Sequence, residues 1–260
     1  MRAIFMGKSK RSAVGALEHL LERGWEVPAV VAPAPDPSAA PEQRLDLAAE
    51  RHGLALVTDD DLYASIGELG EVDLVLSFLF WKRIRRPLIE LPRLGCINFH
   101  PAPLPDMRGI GGYNVAILEG WDQWGVSAHQ VDEEFDTGDL VQVDRFPIDP
   151  DRETAFSLAL QSQERLLATF RSVVDRALAG EELPRTPQGD GRYVTRAEFE
   201  ELRRVRPDDT PERLARRIRA FWHPPYDGAT LEVAGQVVTV MDAGLLQETA
   251  AAYRNAGLFP

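Results

Sequence analysis

The chain has 260 residues, enough for one large domain, or for one domain with a small appendage, around a sizeable core. Its 44% hydrophobic and 27% charged residues are the proportions of an ordinary soluble globular protein. Against 29 basic residues stand 41 acidic ones, and the net charge of −12 disfavours nucleic acid as a partner, because a surface that neutralises phosphates would have to be strongly localised. A single cysteine, Cys96, rules out an intrachain disulfide. The sequence shows neither a signal pattern nor an apolar run of membrane-spanning length, so the expectation is a cytoplasmic protein with no membrane partner.

In chain order, Arg2 to Met6 is a short apolar run closed by Gly7. A Ser/Lys-rich loop follows, then Val14, Leu17, Leu20 and Leu21 at helical spacing up to Gly24. Val27 to Val31 reads as the next strand, and the Pro- and Ala-rich stretch from Ala32 to Pro41 reads as a loop. A helix closes over Ala48 to Gly53, Leu54 to Val57 is a short strand, and Val72 to Phe80 is a continuous apolar run of the kind buried on both faces. Cys96 to Phe99 is a further strand that feeds His100 and a loop with three prolines, Pro101, Pro103 and Pro105. Tyr113 to Leu118 reads as helix, Gly125 to Val131 as strand, and Glu153 to Leu178 as a long amphipathic helix ending at Gly180.

Strands alternating with helices predict an α/β fold: an open, mostly parallel, twisted sheet with flanking helices. Ligand sites in such sheets lie at the carboxyl ends of the strands. The first domain is expected over residues 1–183. After a turn-rich link from Pro184 to Gly191, residues 184–260 hold a helix over Pro211 to Phe221 and the hairpin Ala229 to Val233, Ala234-Gly235, Gln236 to Val240, a small C-terminal module.

The residues able to carry chemistry fall in two blocks. The first is Asn98-Phe99-His100 with Pro101, Leu104, Pro105 and Arg108-Gly109. The second is Val131-Asp132-Glu133 followed by Phe135-Asp136-Thr137-Gly138-Asp139. Together they resemble the folate-dependent formyltransferases, whose shared pattern is Asn-x-His, then Leu-Pro and Arg-Gly, then Leu-Asp-Thr-Gly-Asp. The resemblance runs from Met1 to about Ala243 and is strongest to the group holding methionyl-tRNA formyltransferase and the sugar-nucleotide N-formyltransferases. Two departures stand out: Ala102-Pro103-Leu104-Pro105 where relatives often have Ser-Leu-Leu-Pro, and Phe135 where Leu precedes the aspartate. Both bear on the folate pocket and neither removes a catalytic group.

The resemblance implies transfer of a formyl group from N10-formyltetrahydrofolate to a primary amine, with no metal. The chemistry such a transfer needs matches the side chains present. As the amine attacks, the formyl oxygen becomes an anion that needs a donor, which Asn98 supplies. His100, two residues on along a strand end, takes the proton shed by the attacking nitrogen, and Asp136 orients the ring and favours imidazolium. Taken alone, a buried histidine is more often structural, and Asp-Thr-Gly-Asp is also what a tight turn looks like; the combined motif favours chemistry. By resemblance, Phe80, Trp81 and Ile84 surround the pterin ring, and Ala102, Pro103, Leu104, Pro105, Val131, Asp132 and Glu133 complete the folate slot. His19, His52, His129 and His223 lack metal-ligand spacing and read as structural or exposed.

The amine acceptor is less legible. Lys8, Lys10 and Arg11 form a basic cluster suited to a phosphate or carboxylate, and Tyr113 and Asn114 are candidate acceptor contacts. Arg219-Ala220-Phe221, Pro224-Pro225-Tyr226 and Gly228-Ala229 resemble the segment opening the C-terminal domain of the tRNA-formylating and sugar-nucleotide enzymes. The short stretch beyond it and the acidic charge favour an amino-sugar nucleotide, with an amino acid, a peptide intermediate or methionyl-tRNA as alternatives, and a folate-binding module without chemistry as the non-enzymatic one. A short hairpin with free edges also predicts a homodimer.

Overall fold

The structure, a computed structural model, describes residues 1–226 and 228–255. Its elements run β1 (Ala3–Gly7), α1 (Arg11–Glu22), β2 (Val30–Val31), α2 (Leu45–Arg51), β3 (Leu56–Val57), α3 (Asp59–Ala64), β4 (Leu74–Phe78), α4 (Arg86–Glu90) and β5 (Gly95–His100). They continue with β6 (Met107–Gly109), α5 (Gly112–Glu119), β7 (Gln123–Gln130), β8 (Leu140–Pro147), α6 (Ala155–Leu178), β9 (Arg192–Val194), α7 (Arg196–Leu202), α8 (Pro211–Phe221), β10 (Ala229–Val233), β11 (Gln236–Val240) and α9 (Ala243–Asn255). The expected α/β fold is observed: a seven-stranded sheet in the order β3-β2-β1-β4-β5-β7-β8, with a separate β10–β11 hairpin near the C-terminus. From β3 through β5 every pairing is parallel, and β7 runs antiparallel to β5. Strands β6, β8 and β9 and helices α3, α4, α7 and α9 are added to the expected elements.

Packing groups the residues differently from a single cut near residue 183. One compact unit comprises Met1–Arg108, Gly125–Arg145 and Ser162–Arg192; the other comprises Gly109–Trp124, Phe146–Gln161 and Tyr193–Pro260. The first unit holds the sheet. All five residues of β1 and of β4 are buried, as the apolar runs require of strands covered on both faces. Its aromatic centre is Phe170 of α6, fully buried, with ring centroids 6.0 Å from Phe5, 5.7 Å from Phe78 and 4.7 Å from Phe99. Phe99 belongs to β5, so this cluster anchors that strand from its core side. Gly24, at φ 77°, ends α1 in the left-handed conformation that a glycine adopts without strain.

In the second unit, α8 starts at Thr210, whose hydroxyl accepts the Arg213 N–H, and carries Arg217 almost wholly out of solvent. Arg217 is paired with Asp209 at 2.8 Å, with both side chains nearly inaccessible. The same guanidinium donates to the Leu202 carbonyl. Hydrogen bonding to Arg217 holds the Asp209 carboxyl below its ordinary pKa. Burial of both partners makes the pair costly to break from one side.

Truncating Phe170 to Ala leaves a cavity behind β5 and is expected to cost about 3–5 kcal/mol of unfolding free energy. Urea titration followed by circular dichroism measures it; a loss below about 1 kcal/mol would mean the aromatic cluster does not hold the sheet as described.

Candidate active site

Alternation along β5 sends Phe99, fully buried, toward the core, and leaves the half-buried Asn98 and His100 on the opposite face. The neighbouring strands then determine what those two side chains meet. In register, Ser77 of β4 lies beside Asn98, and on the other side β7 sets His129 opposite Asn98 and Ser127 opposite His100. Ser77 Oγ donates to Asn98 Oδ1 at 2.7 Å, and Asn98 Nδ2 lies 3.1 Å from His129 Nε2. His129 Nδ1 is 2.7 Å from the Gln130 carbonyl oxygen, which only accepts. That contact puts the proton on Nδ1 and leaves Nε2 its lone pair, so Asn98 donates to it. The chain Ser77, Asn98, His129, Gln130 thus has one direction, and one Asn98 N–H remains for a ligand.

His129 is 2% exposed and sits inside the site, whereas its sequence context suggests a structural or exposed residue. The signal that would have found it is strand parity, since Gln123–Gln130 pairs antiparallel with the Asn-x-His strand. Ser127, fully buried, accepts the Leu104 N–H at 2.9 Å and donates to the Ala102 carbonyl at 2.8 Å, which pins the turn following His100.

Asp136 stands on the loop between β7 and β8. Its Oδ1 is 3.5 Å from His100 Nδ1 and 3.7 Å from His129 Nε2. The backbone there is left-handed, φ 60°, a conformation that aspartate tolerates better than most side chains. Asp132 shapes the same loop, accepting the Glu134 N–H at 3.0 Å and the Thr137 hydroxyl at 2.7 Å. Any Cβ at position 138 would collide with the Gln130 carbonyl, so only Gly138 lets the loop fold back so closely. The three residues expected to be catalytic therefore converge.

His100 Nε2 is buried with no hydrogen-bond partner. Burial lowers the His100 pKa below its ordinary 6.5, partly opposed by Asp136, which raises it, and reinforced by His129, which lowers it. Burial outweighs the carboxylate, so the resting ring is neutral near pH 7 and able to accept a proton; Asp136 moderates the shift without reversing it.

Of the residues expected around the folate, Phe80, Ile84 and Val131 gather in one apolar cluster, with Ile84 6% exposed. Trp81, 41% exposed, packs on Phe80 with ring centroids 4.7 Å apart. Ala102, Pro103 and Leu104 are buried and Pro105 is half-buried. Asp132 and Glu133 are exposed; Asp132 is engaged within its own loop, and Glu133 pairs with Arg86 at 2.7 Å. Lys8, Lys10 and Arg11 bridge β1 and the start of α1 in the first unit, where desolvation and then the Lys10 charge lower the Lys8 pKa. Tyr113 and Asn114 lie in the second unit, Tyr113 packing on Trp124 at 5.6 Å and Asn114 Nδ2 donating to the Ala220 carbonyl at 2.7 Å. Among the described residues, no group of three or more His, Cys, Asp or Glu side chains is placed to hold a metal ion.

Residues 40–169, half of the chain, match the family model described as formyl transferase. The chain is 33% identical over 255 residues to a methionyl-tRNA formyltransferase of Halorhodospira halophila, spanning 93% of this chain and 79% of that protein. Among solved structures it is similar to an N-formyltransferase from Helicobacter canadensis in complex with folinic acid and dTDP-3-aminofucose (TM-score 0.75, 20% identity, 90% of this chain and 85% of that one). It is also similar to a 4-N formyltransferase from Francisella tularensis (TM-score 0.73, 21% identity, 92% and 96% covered). The family match and the identity to the Halorhodospira halophila relative define an enzyme of one-carbon group transfer. The chain belongs to the formyl transferase family, the folate-dependent N-formyltransferases that its two sequence blocks resemble.

With His100 proposed as the base, which must be neutral to act, the acid limb of the kcat/KM profile is expected below pH 6.5. Removing the Asp136 charge in Asp136→Asn takes away the influence that raises the His100 pKa, so the limb should move further toward acid while turnover falls. A limb that stays in place or moves toward alkali in Asp136→Asn would contradict the assigned electrostatics.

Proposed function

We propose that this enzyme transfers the formyl group of N10-formyltetrahydrofolate to the primary amine of an amino-sugar nucleotide. The observation that carries the reading is the convergence of Asn98, His100 and Asp136 on one buried face, with His100 Nε2 buried and unpaired. The apolar wall of Phe80, Ile84 and Val131 suits a flat heterocycle beside that face. The folate supplies the electrophilic formyl carbon.

Asn98 offers its remaining N–H to the formyl oxygen, whose negative charge grows as the amine nitrogen bonds to the carbon. His100 Nε2 takes the proton that nitrogen sheds. When the bond between the formyl carbon and N10 breaks, the proton on His100 is available to N10, so tetrahydrofolate leaves neutral at that atom and the ring returns to its starting state. Asp136 holds the ring and steadies its transient positive charge.

For the acceptor, the net charge of −12 and the likeness to an enzyme solved with dTDP-3-aminofucose support a small phosphate-bearing amine. Lys8, Lys10 and Arg11 are proposed to meet the phosphates, and Tyr113 and Asn114 the acceptor. The 33% identity to a methionyl-tRNA formyltransferase keeps methionyl-tRNA as a second reading. We also infer that two chains pair through the hairpin, whose Leu231, Val233 and Val238 share one face and are exposed.

Titration with 5-formyltetrahydrofolate is expected to change the fluorescence of Trp81 against a Trp81→Phe control. Unchanged fluorescence together with no calorimetric heat would remove the folate assignment. With N10-formyltetrahydrofolate and dTDP-3-aminofucose or methionyl-tRNA as acceptors, mass spectrometry should show formyl gain on the sugar nucleotide; gain on methionyl-tRNA alone would select the second reading. His100→Ala is expected to lower turnover roughly 10²- to 10⁴-fold, and Asn98→Ala about 10²- to 10³-fold with folate affinity nearly intact. Light scattering should give about twice the 29.0 kDa chain mass, and a 29.0 kDa particle at micromolar concentration would defeat the dimer.

A further inference from the structure

The link between α6 and β9, which in sequence is a turn-rich connection, is strapped to the catalytic loop. Thr186 and Leu140 exchange both backbone hydrogen bonds, at 3.0 and 2.8 Å. Further on, Gly191 lies so close to the Pro105 carbonyl that any Cβ would collide with it. Between these two anchors Gln188 turns inward, and it alone of residues 184–191 is not exposed.

Every polar atom of the Gln188 amide is used. Nε2 donates to the carbonyls of Asp136 at 3.2 Å and Gly138 at 2.6 Å. Oε1 accepts from Arg108 Nη2 at 3.0 Å, and the same guanidinium nitrogen donates to the Gly189 carbonyl at 2.9 Å. Flipping the amide would set N–H groups against the guanidinium and an oxygen against two carbonyl oxygens, so the orientation is fixed.

We infer that Gln188 is a positioning residue for the Asp136 carboxylate, and that Arg108, the arginine of the Arg-Gly motif, acts by orienting Gln188. The inference rests on the proposed action of Asp136 on His100. Asp136 gains from such support: at φ 60° it is held in the left-handed region, which a residue with a side chain occupies only where its surroundings hold it there. Asp132 and Gly138 shape the loop, but the Asp136 peptide carbonyl is held by the Gln188 amide. Tilting that peptide would carry the carboxylate away from the ring it faces at 3.5 Å. The charged and titratable groups that face His100 are Asp136 and His129. Gln188 itself does not titrate, so its loss reaches His100 through Asp136.

Gln188→Met separates this role from a change of charge. It nearly keeps the length and volume, has no N–H for the two carbonyls and adds no charge near His100. Expected are a fall in kcat of roughly 10- to 100-fold, as for a displaced catalytic group, and a KM for N10-formyltetrahydrofolate changed far less. The His100 ring, followed by NMR in the full chain without acceptor, should titrate at lower pH, in the same direction as in Asp136→Asn. Gln188→Asn, equally uncharged and too short to reach both carbonyls, should reproduce the pair of changes if the methionine variant folds poorly. Wild-type kcat and an unmoved His100 titration in these variants would overturn the inference. If Asp136→Asn itself left both readouts untouched, the assigned role of Asp136 would fall first, and the inference with it.

Discussion

The site depends on one constraint, the two-residue alternation of β5 between two hydrogen-bonded neighbours. Because Phe99 must enter the aromatic cluster around Phe170, Asn98 and His100 must share the opposite face. A slip of one residue would bury both polar side chains and expose the phenyl ring, so the same packing that stabilises the sheet fixes the chemistry. The parallel neighbour β4 brings Ser77 and the antiparallel neighbour β7 brings His129, each at a register set by backbone hydrogen bonds. Strand-borne groups are thereby placed by the ladder itself.

Burial supplies the second condition. A polar cluster of low accessibility survives only if its donors and acceptors are paired, and here the pairing also has a direction, from Ser77 through Asn98 and His129 to the Gln130 carbonyl. On the face of β5 that carries them, one N–H of Asn98 and Nε2 of His100 are left over. In the proposed reaction they serve as the donor and the acceptor for attack of an amine on a formyl carbon. The same burial keeps His100 neutral, while Asp136 is near enough to stabilise the charged ring once a proton arrives.

Much of this was legible in the sequence. The apolar runs of β1, β4 and β5 announce a parallel sheet, and the motif singles out Asn98, His100 and Asp136, which the fold brings close together. The hairpin from Ala229 to Val240 follows from Ala-Gly between β-branched runs. His129 does not stand out in its local context, because its partners are set by the antiparallel register of β7 on β5, and only strand parity carries that signal. Nor was the net direction of the His100 shift legible, which is a balance between desolvation and one carboxylate and needs the actual depth of burial. Gln188 was hidden for a different reason: it sits in a stretch of turn formers, and only a half-buried side chain among exposed neighbours marks it.

The division of labour between strand and loop explains why the supporting residues differ in kind. Asn98 and His129 stand on paired strands and need only their own ladder. Asp136 stands on a loop, where the backbone must take a left-handed turn to aim the carboxylate, and such a turn persists only when its surroundings over-determine it. Three features do so from three directions. Asp132 ties the start of the loop to Glu134 and Thr137, Gly138 permits its close return against Gln130, and Gln188, oriented by Arg108, holds its carbonyls from outside. On this account Arg108-Gly109 and Asp136-Thr137-Gly138-Asp139 are parts of one mechanical arrangement: the arginine acts on the aspartate through the glutamine between them, although the motif shows only its two ends.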